Sequence, residues 1–370
     1  MVSKALTIIM QPGSVFKSLC YMMFGFFLYS CSSVSVIPKA TLHEEEKLLP
    51  AVFSMVFFIH GDGNYLYHDT LGQSINADEN TLAAAIMTAI QNPQSEVFIF
   101  HQKPARKTLF FFTDYDGMFY YYRNGHMLAT KPYERSNGPS RFASELQLFH
   151  SYRMEESVPQ VKLMVYAGHE IPEFNGSGYD DSYPDRLFTI DDLAYGVKTM
   201  AGESGKFDLI ILSTCYNGTP HTISALSSYA QTIIASPGNL HLSYFDFQLL
   251  HHLDKSQSKD MPGFAKNFAQ QSFKRLSTKV QTAVTVVVYN TDQVQWYLKS
   301  VNNIYNQALT DLKEREAGSF GFCDCSEDSA YNLPGINEGV SVFYRPSRFG
   351  NNVNKVHHSG WQCRRLVNAQ

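Results

Sequence analysis

FDLIILSTCYNGTPHTISALSSYAQTIIAS (207–236) decides the fold. Phe207 to Leu212 is a continuous apolar run of strand length, as expected where both faces of a parallel strand are covered. It runs straight into Ser213-Thr214-Cys215. TPHTISALSSYA then reads as a helix, and TIIAS (232–236) as a second strand stopped by Pro237-Gly238. Strand, helix and strand in this order form a βαβ unit.

The alternation continues outward in both directions. AVFSMVFFI (51–59) is another buried strand, followed by the turn HGDGN and by Asp78-Glu79-Asn80, whose acids suit the first turn of the helix TLAAAIMTAI. SEVFIFHQ (95–102) is a strand, and KLMVYA (162–167) another, ending at Gly168-His169-Glu170. Thr189 and Asp192 have capping-box spacing, and Ile190, Leu193, Ala194 and Val197 share one helix face. KTLFFFTDYDGMFYYYRNG (107–125) predicts a β-hairpin turning at Asp116-Gly117 on the sheet edge. Downstream, a helix near 263–276, the strand TAVTVVVYN (282–290), a helix from Asp292 to about Leu312 and the strand GVSVFYR (339–345) complete the series. The pattern predicts an α/β fold with a mostly parallel sheet flanked by helices, a hairpin decoration and a C-terminal α/β extension. Residues 51–260 would form the core and 261–370 the extension of the same domain.

The composition agrees with a packed globular chain: 370 residues, 44% hydrophobic and 17% charged. A formal charge of −4 without a basic stripe argues against nucleic acid as a partner. The 27 Phe and 22 Tyr fall mostly in strand-like runs and therefore belong to the core.

In such sheets chemistry gathers outside the carboxyl ends of the strands. His60, His169 and Cys215 each stand at that position. A Cys that ends a buried strand and opens a helix sits on an exposed turn close to backbone donors. It needs an imidazole to take its proton and backbone N–H groups to hold an oxyanion. His169 can supply the first. The segment between them accommodates one loop, one helix and one strand, which would bring both residues to the tips of adjacent parallel strands.

Residues 51–345 resemble the clostripain family of cysteine peptidases, of the same clan as caspases, legumain and gingipains. Ser213-Thr214-Cys215, Gly218, Ala225-Leu226 and Ala235-Ser236 occupy the places of that family's motifs, and LFTIDDLAYGVK, AVTVVVYN and GVSVFYRP resemble its flanking elements. The resemblance implies a caspase-like domain in which Cys215 is the nucleophile, His169 the base, and the backbone N–H groups of Glu170 and Cys215 the oxyanion donors. Protein or peptide would be the substrate. Two positions depart from the family. His-Gly is His169-Glu170 here, which brings a carboxylate to the oxyanion. The acid two residues before the nucleophile is Ser213, so basic specificity is not carried over from that substrate-binding position. A non-catalytic homologue that binds peptide or protein is the competing reading.

His60-Gly61 could instead be the oxyanion pair of an α/β-hydrolase, but no Gly-x-Ser-x-Gly elbow accompanies it. His60 and Asp62 are expected at the cleft rim, as substrate-binding residues, or in a simple turn. Asp180, Asp181 and Asp185 could bind calcium, although a solvated loop is the simpler reading; no other cofactor and no metal site is expected. The Gly- and Asp-rich segment 175–186 is a candidate for activating cleavage, after Arg186. Cys363 is expected to pair with Cys325 or Cys323 if the chain is exported.

Export is indicated at the start of the chain. Lys4 and Lys17 precede LCYMMFGFFLY (19–29), an apolar segment too short for a spanning helix of roughly 20 residues. Leu28-Tyr29-Ser30-Cys31 resembles a bacterial lipobox, so residues 1–31 read as a lipoprotein signal peptide and 32–50 as a tether. The mature chain would then be lipid-anchored to a membrane in the cell envelope, facing periplasm or cell surface. Labelled fatty acid should enter the protein through Cys31, and a Cys31→Ser variant that kept its label would refute this.

Overall fold

The computed structural model describes residues 49–62, 66–68, 74–105, 107–108, 111–112, 115–137, 140–154, 160–176, 178–202, 205–240, 245–314, 320–350 and 353–366. The signal segment with Cys31 and nearly all of the tether lie outside the described residues.

The first strand, β1 (Phe53–His60), pairs in parallel with β2 (Ser95–Gln102) on one side and β5 (Val161–Ala167) on the other. The strand β5 pairs in parallel with β6 (Phe207–Ser213), and β6 with β7 (Ala230–Ala235). Both flanks are antiparallel. On one, β3 (Gly117–Arg123) and β4 (His126–Tyr133) follow β2; on the other, β8 (Val284–Asn290) and β10 (Val340–Arg345) follow β7. Among the described residues the sheet has nine strands in the order β10-β8-β7-β6-β5-β1-β2-β3-β4.

Helices cover both faces, which is why the central strands are apolar throughout rather than alternating. Val56 and Phe58 of β1 face the layer that holds α2 (Ala143–Tyr152), α3 (Ile190–Ala201), α4 (Pro220–Ser227) and α6 (Gln295–Glu314). Phe53, Met55, Phe57 and Ile59 face the opposite layer, with α1 (Ala77–Gln91) and α5 (Met261–Lys279). The capping box read at Thr189 and Asp192 is present at the start of α3.

The hairpin differs from expectation. Its turn is Asn124-Gly125, not Asp116-Gly117, and Arg123 faces His126 across it. Asn124 and Gly125 have φ of 49° and 85°, the positive pair whose twist matches that of the flanking strands. Asp116 instead receives the Arg135 N–H at 2.7 Å. The preceding aromatic run contributes a separate short ladder, Lys107–Thr108 with Phe111–Phe112. The helix α2 and the strand after β10 had no counterpart in the sequence reading.

That last strand, β11 (Gln362–Leu366), pairs with β9 (Phe320–Asp324). Of the two expected disulfides the structure contains Cys325–Cys363; Cys323 lies opposite Cys363 in the ladder but remains a buried thiol. Trp361 anchors the region between Tyr289 and Tyr297, with ring centroids at 4.7 and 5.0 Å, and its indole N–H donates to the Ile336 carbonyl at 2.8 Å. The β9–β11 ladder docks where the chain leaves β6: the Gln362 N–H donates to the Gly218 carbonyl at 2.8 Å, and Phe322 stacks on Tyr216 at 4.9 Å. A disulfide that closes a sequence separation of 38 residues is worth about 2–4 kcal/mol through loss of unfolded-state entropy. Cys325→Ser should lower the denaturant midpoint by a corresponding amount, and an unchanged midpoint would show that the bridge constrains nothing.

Candidate active site

The site begins with a register. Ser213 is the partner of Ala167 in the parallel pairing of β6 with β5, so Gly168-His169 and Thr214-Cys215 leave the sheet side by side. Gly168 has to be glycine, because a Cβ there would stand 2.9 Å from the Cβ of His60. Two side-chain bonds then tie the departing loops together. The Asn217 Oδ1 accepts from the Ile171 N–H and its Nδ2 donates to the Ile171 carbonyl, both at 3.0 Å, while the Thr214 hydroxyl donates to the same Oδ1 at 2.6 Å. Tyr216 takes φ of 53°, which turns the chain sharply after the cysteine. Gly218 packs directly on Pro237 and the Tyr289 hydroxyl, leaving no room for a Cβ. Thr219 caps α4, its hydroxyl accepting from the Thr222 N–H at 3.1 Å.

These elements enclose a cleft of about 390 Å³ lined by His169, Glu170, Gly178, Asp181, Cys215, Tyr216 and Asn239. Four residues singled out in the sequence, His169, Glu170, Asp181 and Cys215, therefore meet at one place. The Cys215 Sγ lies 3.3 Å from the Asn239 Oδ1 and accepts from the Leu240 N–H at 3.3 Å.

Three others do not reach the cleft. His60 is 1% exposed, covered by Tyr179, whose ring stacks on it at 4.1 Å and whose carbonyl lies 3.1 Å from its Nε2. Burial pulls the His60 pKa down to about 4, with Arg135 adding to that effect, so the ring is neutral and cannot act as a surface base. Ser213 is fully buried, and its hydroxyl accepts the Phe245 N–H at 2.8 Å. Asp62 is 2% exposed and sits behind His169, its carboxylate 2.9 Å from the Nε2. Placement at the rim is thus corrected for His60 and Asp62, and a substrate contact for Ser213. The tip of β1 is roofed by the segment that carries Tyr179, and the residue at the end of β6 points into the helical layer.

The acidic loop is also engaged. Asp180 pairs with Arg135 at 2.8 Å, and its other oxygen accepts the N–H groups of Ser182 and Tyr183 at 3.1 Å each. Among the described residues no group of three or more His, Cys, Asp or Glu is arranged to hold a metal ion. Arg186 pairs with Asp116, donates to the Asn137 Oδ1 at 2.8 Å and lies over the Tyr183 ring.

Glu170 is the electrostatic peculiarity of the cleft. Burial pushes its carboxyl up to about 7; Arg364 opposes this, Glu173 reinforces it, and His169 opposes it. Arg364, on β11, reaches Glu170 at 3.7 Å and Glu173 at 3.1 Å, and lies over Phe322 at 4.5 Å. Arg364, Phe322 and Tyr216 thus form a layered wall beside Cys215. Sequence reasoning missed Arg364, Tyr216, Asn239 and the role of Asp62. Only Asn239 carried a local signal, since it follows the Pro237-Gly238 stop at another strand tip on the same sheet edge.

The family model of the clostripain family matches residues 165–345, from within β5 to the end of β10, and so includes both His169 and Cys215. Over that segment the chain is similar to the clostripain family. Among solved structures it resembles an inactive zymogen C11 protease from Parabacteroides distasonis, at 15% identity and a TM-score of 0.52, over 85% of this chain and 92% of that one. It also resembles a secreted C11 cysteine protease from Bacteroides thetaiotaomicron, at 13% identity and 0.51, over 85% and 93%. At such identities these likenesses establish the caspase-like fold, and the family match supports a peptidase. No curated protein matches the chain.

The Glu170 shift has a consequence for stability. The unfolded carboxyl loses its proton near the ordinary value of 4.5, the folded one only near 7. Between these values the folded chain binds more protons, so this group makes stability fall as pH rises through the window. Glu170→Gln should remove that component, making denaturant midpoints less sensitive to pH between about 5 and 7 than in the parent. Identical pH dependence in the two proteins would contradict the shift.

Proposed function

We propose that this protein is an exported, lipid-anchored cysteine endopeptidase in which Cys215 is the nucleophile and His169 its base. The observation that carries this reading is the Ala167–Ser213 register, which sends His169 and Cys215 from adjacent strands into one cleft. The family match over both residues supports it.

In the proposed reaction the Cys215 thiol gives its proton to His169, and the sulfur pair attacks the peptide carbonyl carbon. The carbonyl pair moves to oxygen, where the backbone N–H groups of Glu170 and Cys215 would hold the negative charge. Collapse breaks the C–N bond, and His169 returns the proton to the leaving amine. Water then attacks the thioester, giving a proton to His169, and the Cys215 thiolate leaves. Asp62 would extend the expected dyad: its carboxylate lies 2.9 Å from the Nε2, which favours the proton on that nitrogen and so Nδ1 as the base. The Glu170 carboxylate, which would oppose the oxyanion, is drawn off toward Arg364.

Peptide or protein is the proposed substrate, with no preference for a basic side chain carried by Ser213. Activating cleavage after Arg186 belongs to the same reading and requires release of the Asp116 and Asn137 contacts. Export rests on the lipobox at Cys31 and is supported by the Bacteroides neighbour being described as secreted. Among the described residues no helix is long and apolar enough to cross a membrane.

Glu170 favours a second reading, a peptide-binding protein without turnover, because it puts a carboxylate where the family has glycine. Cleavage assays against a broad peptide library separate the two. Cys215→Ala and His169→Ala should abolish hydrolysis, and Asp62→Asn should lower kcat/KM on the order of 10²-fold by releasing the imidazole. Glu170→Gly should raise kcat/KM. If neither the parent nor Glu170→Gly cleaves any peptide that it binds, the binding protein is the correct reading.

A further inference from the structure

The nucleophile has a polar neighbour that the proposed reaction does not use. Asn239 follows the tip of β7, where Ser236-Pro237-Gly238 turns the chain back over Cys215: the Ser236 hydroxyl donates to the Gly238 carbonyl at 3.0 Å, and the Tyr216 N–H donates to that same carbonyl at 3.2 Å. The turn brings the Leu240 N–H to the sulfur at 3.3 Å and the Asn239 Oδ1 to the same atom at 3.3 Å. In this arrangement the thiol donates to the amide oxygen.

A carboxamide has one accepting and one donating end, and a thiolate needs a donor where a thiol needs an acceptor. We propose that Asn239 is a positioning residue for Cys215, its carboxamide reversing so that Oδ1 accepts from the thiol and Nδ2 donates to the thiolate. Leu240 donates to the sulfur throughout. When the proton passes from Cys215 to His169, the new negative charge thus gains a second N–H donor instead of facing a carbonyl oxygen. The inference rests on the peptidase reading for its purpose, but not for its test.

The test follows the rate of Cys215 alkylation by iodoacetamide against pH in the full chain, with a Cys215→Ala chain supplying the background from other thiols. His169, Glu170 and Asp181 line the same cleft as Tyr216 and the sulfur. All measurements use a Glu170→Gln background, so that the carboxyl titrating near 7 does not enter the profile. Asn239→Asp can only accept and adds charge; its profile should move to higher pH, with alkylation at neutral pH reduced roughly tenfold. Asn239→Ala should move it less, in the same direction. A purely structural role would lower the denaturant midpoint and leave the profile in place. If folded Asn239→Asp and Asn239→Ala both superimpose on the parent profile, the proposal is overturned. A shifted profile in a protein that cleaves no peptide would uphold Asn239 and refute the peptidase, whereas cleavage with an unshifted profile would refute Asn239 alone.

Discussion

Everything at the cleft depends on β5 and β6 being neighbours in a parallel sheet with Ala167 opposite Ser213. In a parallel pair both chains leave at the same edge, and a shift by one residue would turn every side chain to the other face. The apolar residues on both faces resist such a slip, because Leu163, Val165 and Ile211 pack in one layer while Met164, Tyr166, Ile210 and Leu212 pack in the other. Asn217 then fastens the loops beyond the strand tips by pairing with both backbone groups of Ile171. His169 and Cys215 thus stand at the first positions of tied loops on a rigid support, the arrangement that geometry-sensitive chemistry requires.

Beneath the cleft lies a layer of buried polar groups that would be costly if unmatched. His60 is kept neutral, Asp180 meets Arg135, and Gln102 donates to Glu145 at 3.0 Å and accepts from the Tyr179 hydroxyl at 3.1 Å. These partners come from β1, β2, α2, the segment after β4 and the loop after β5. The loop that contributes Gly178 and Asp181 to the cleft is therefore held from below by a matched ion pair, which accounts for a Gly- and Asp-rich segment being ordered around Asp180.

The C-terminal ladder supplies the opposite wall. Arg364 offsets two carboxylates, Glu170 and Glu173, and its stack through Phe322 onto Tyr216 links a disulfide-closed hairpin to the residue after Cys215. The departure from the family at Glu170 is thus accompanied by a cation within reach. Burial still dominates, and the carboxyl remains well above its ordinary range.

The sequence by itself determined the central strands, their covered faces and the place of His169 and Cys215 at two strand tips, because strand-length apolar runs and punctuating turns are local signals that report burial directly. It also restricted Cys363 to two partners. It did not determine which aromatic residues form the hairpin, although Asn124-Gly125 carried the signal and the aromatic run before it was read in its place. Only the tertiary structure decided that Asp62 stands behind His169 rather than at the rim, that Ser213 faces inward, and that Asn239 reaches Cys215 and Arg364 reaches Glu170. Those contacts join residues far apart in the chain, and which of them meet depends on how loops from several strand tips pack over one sheet edge.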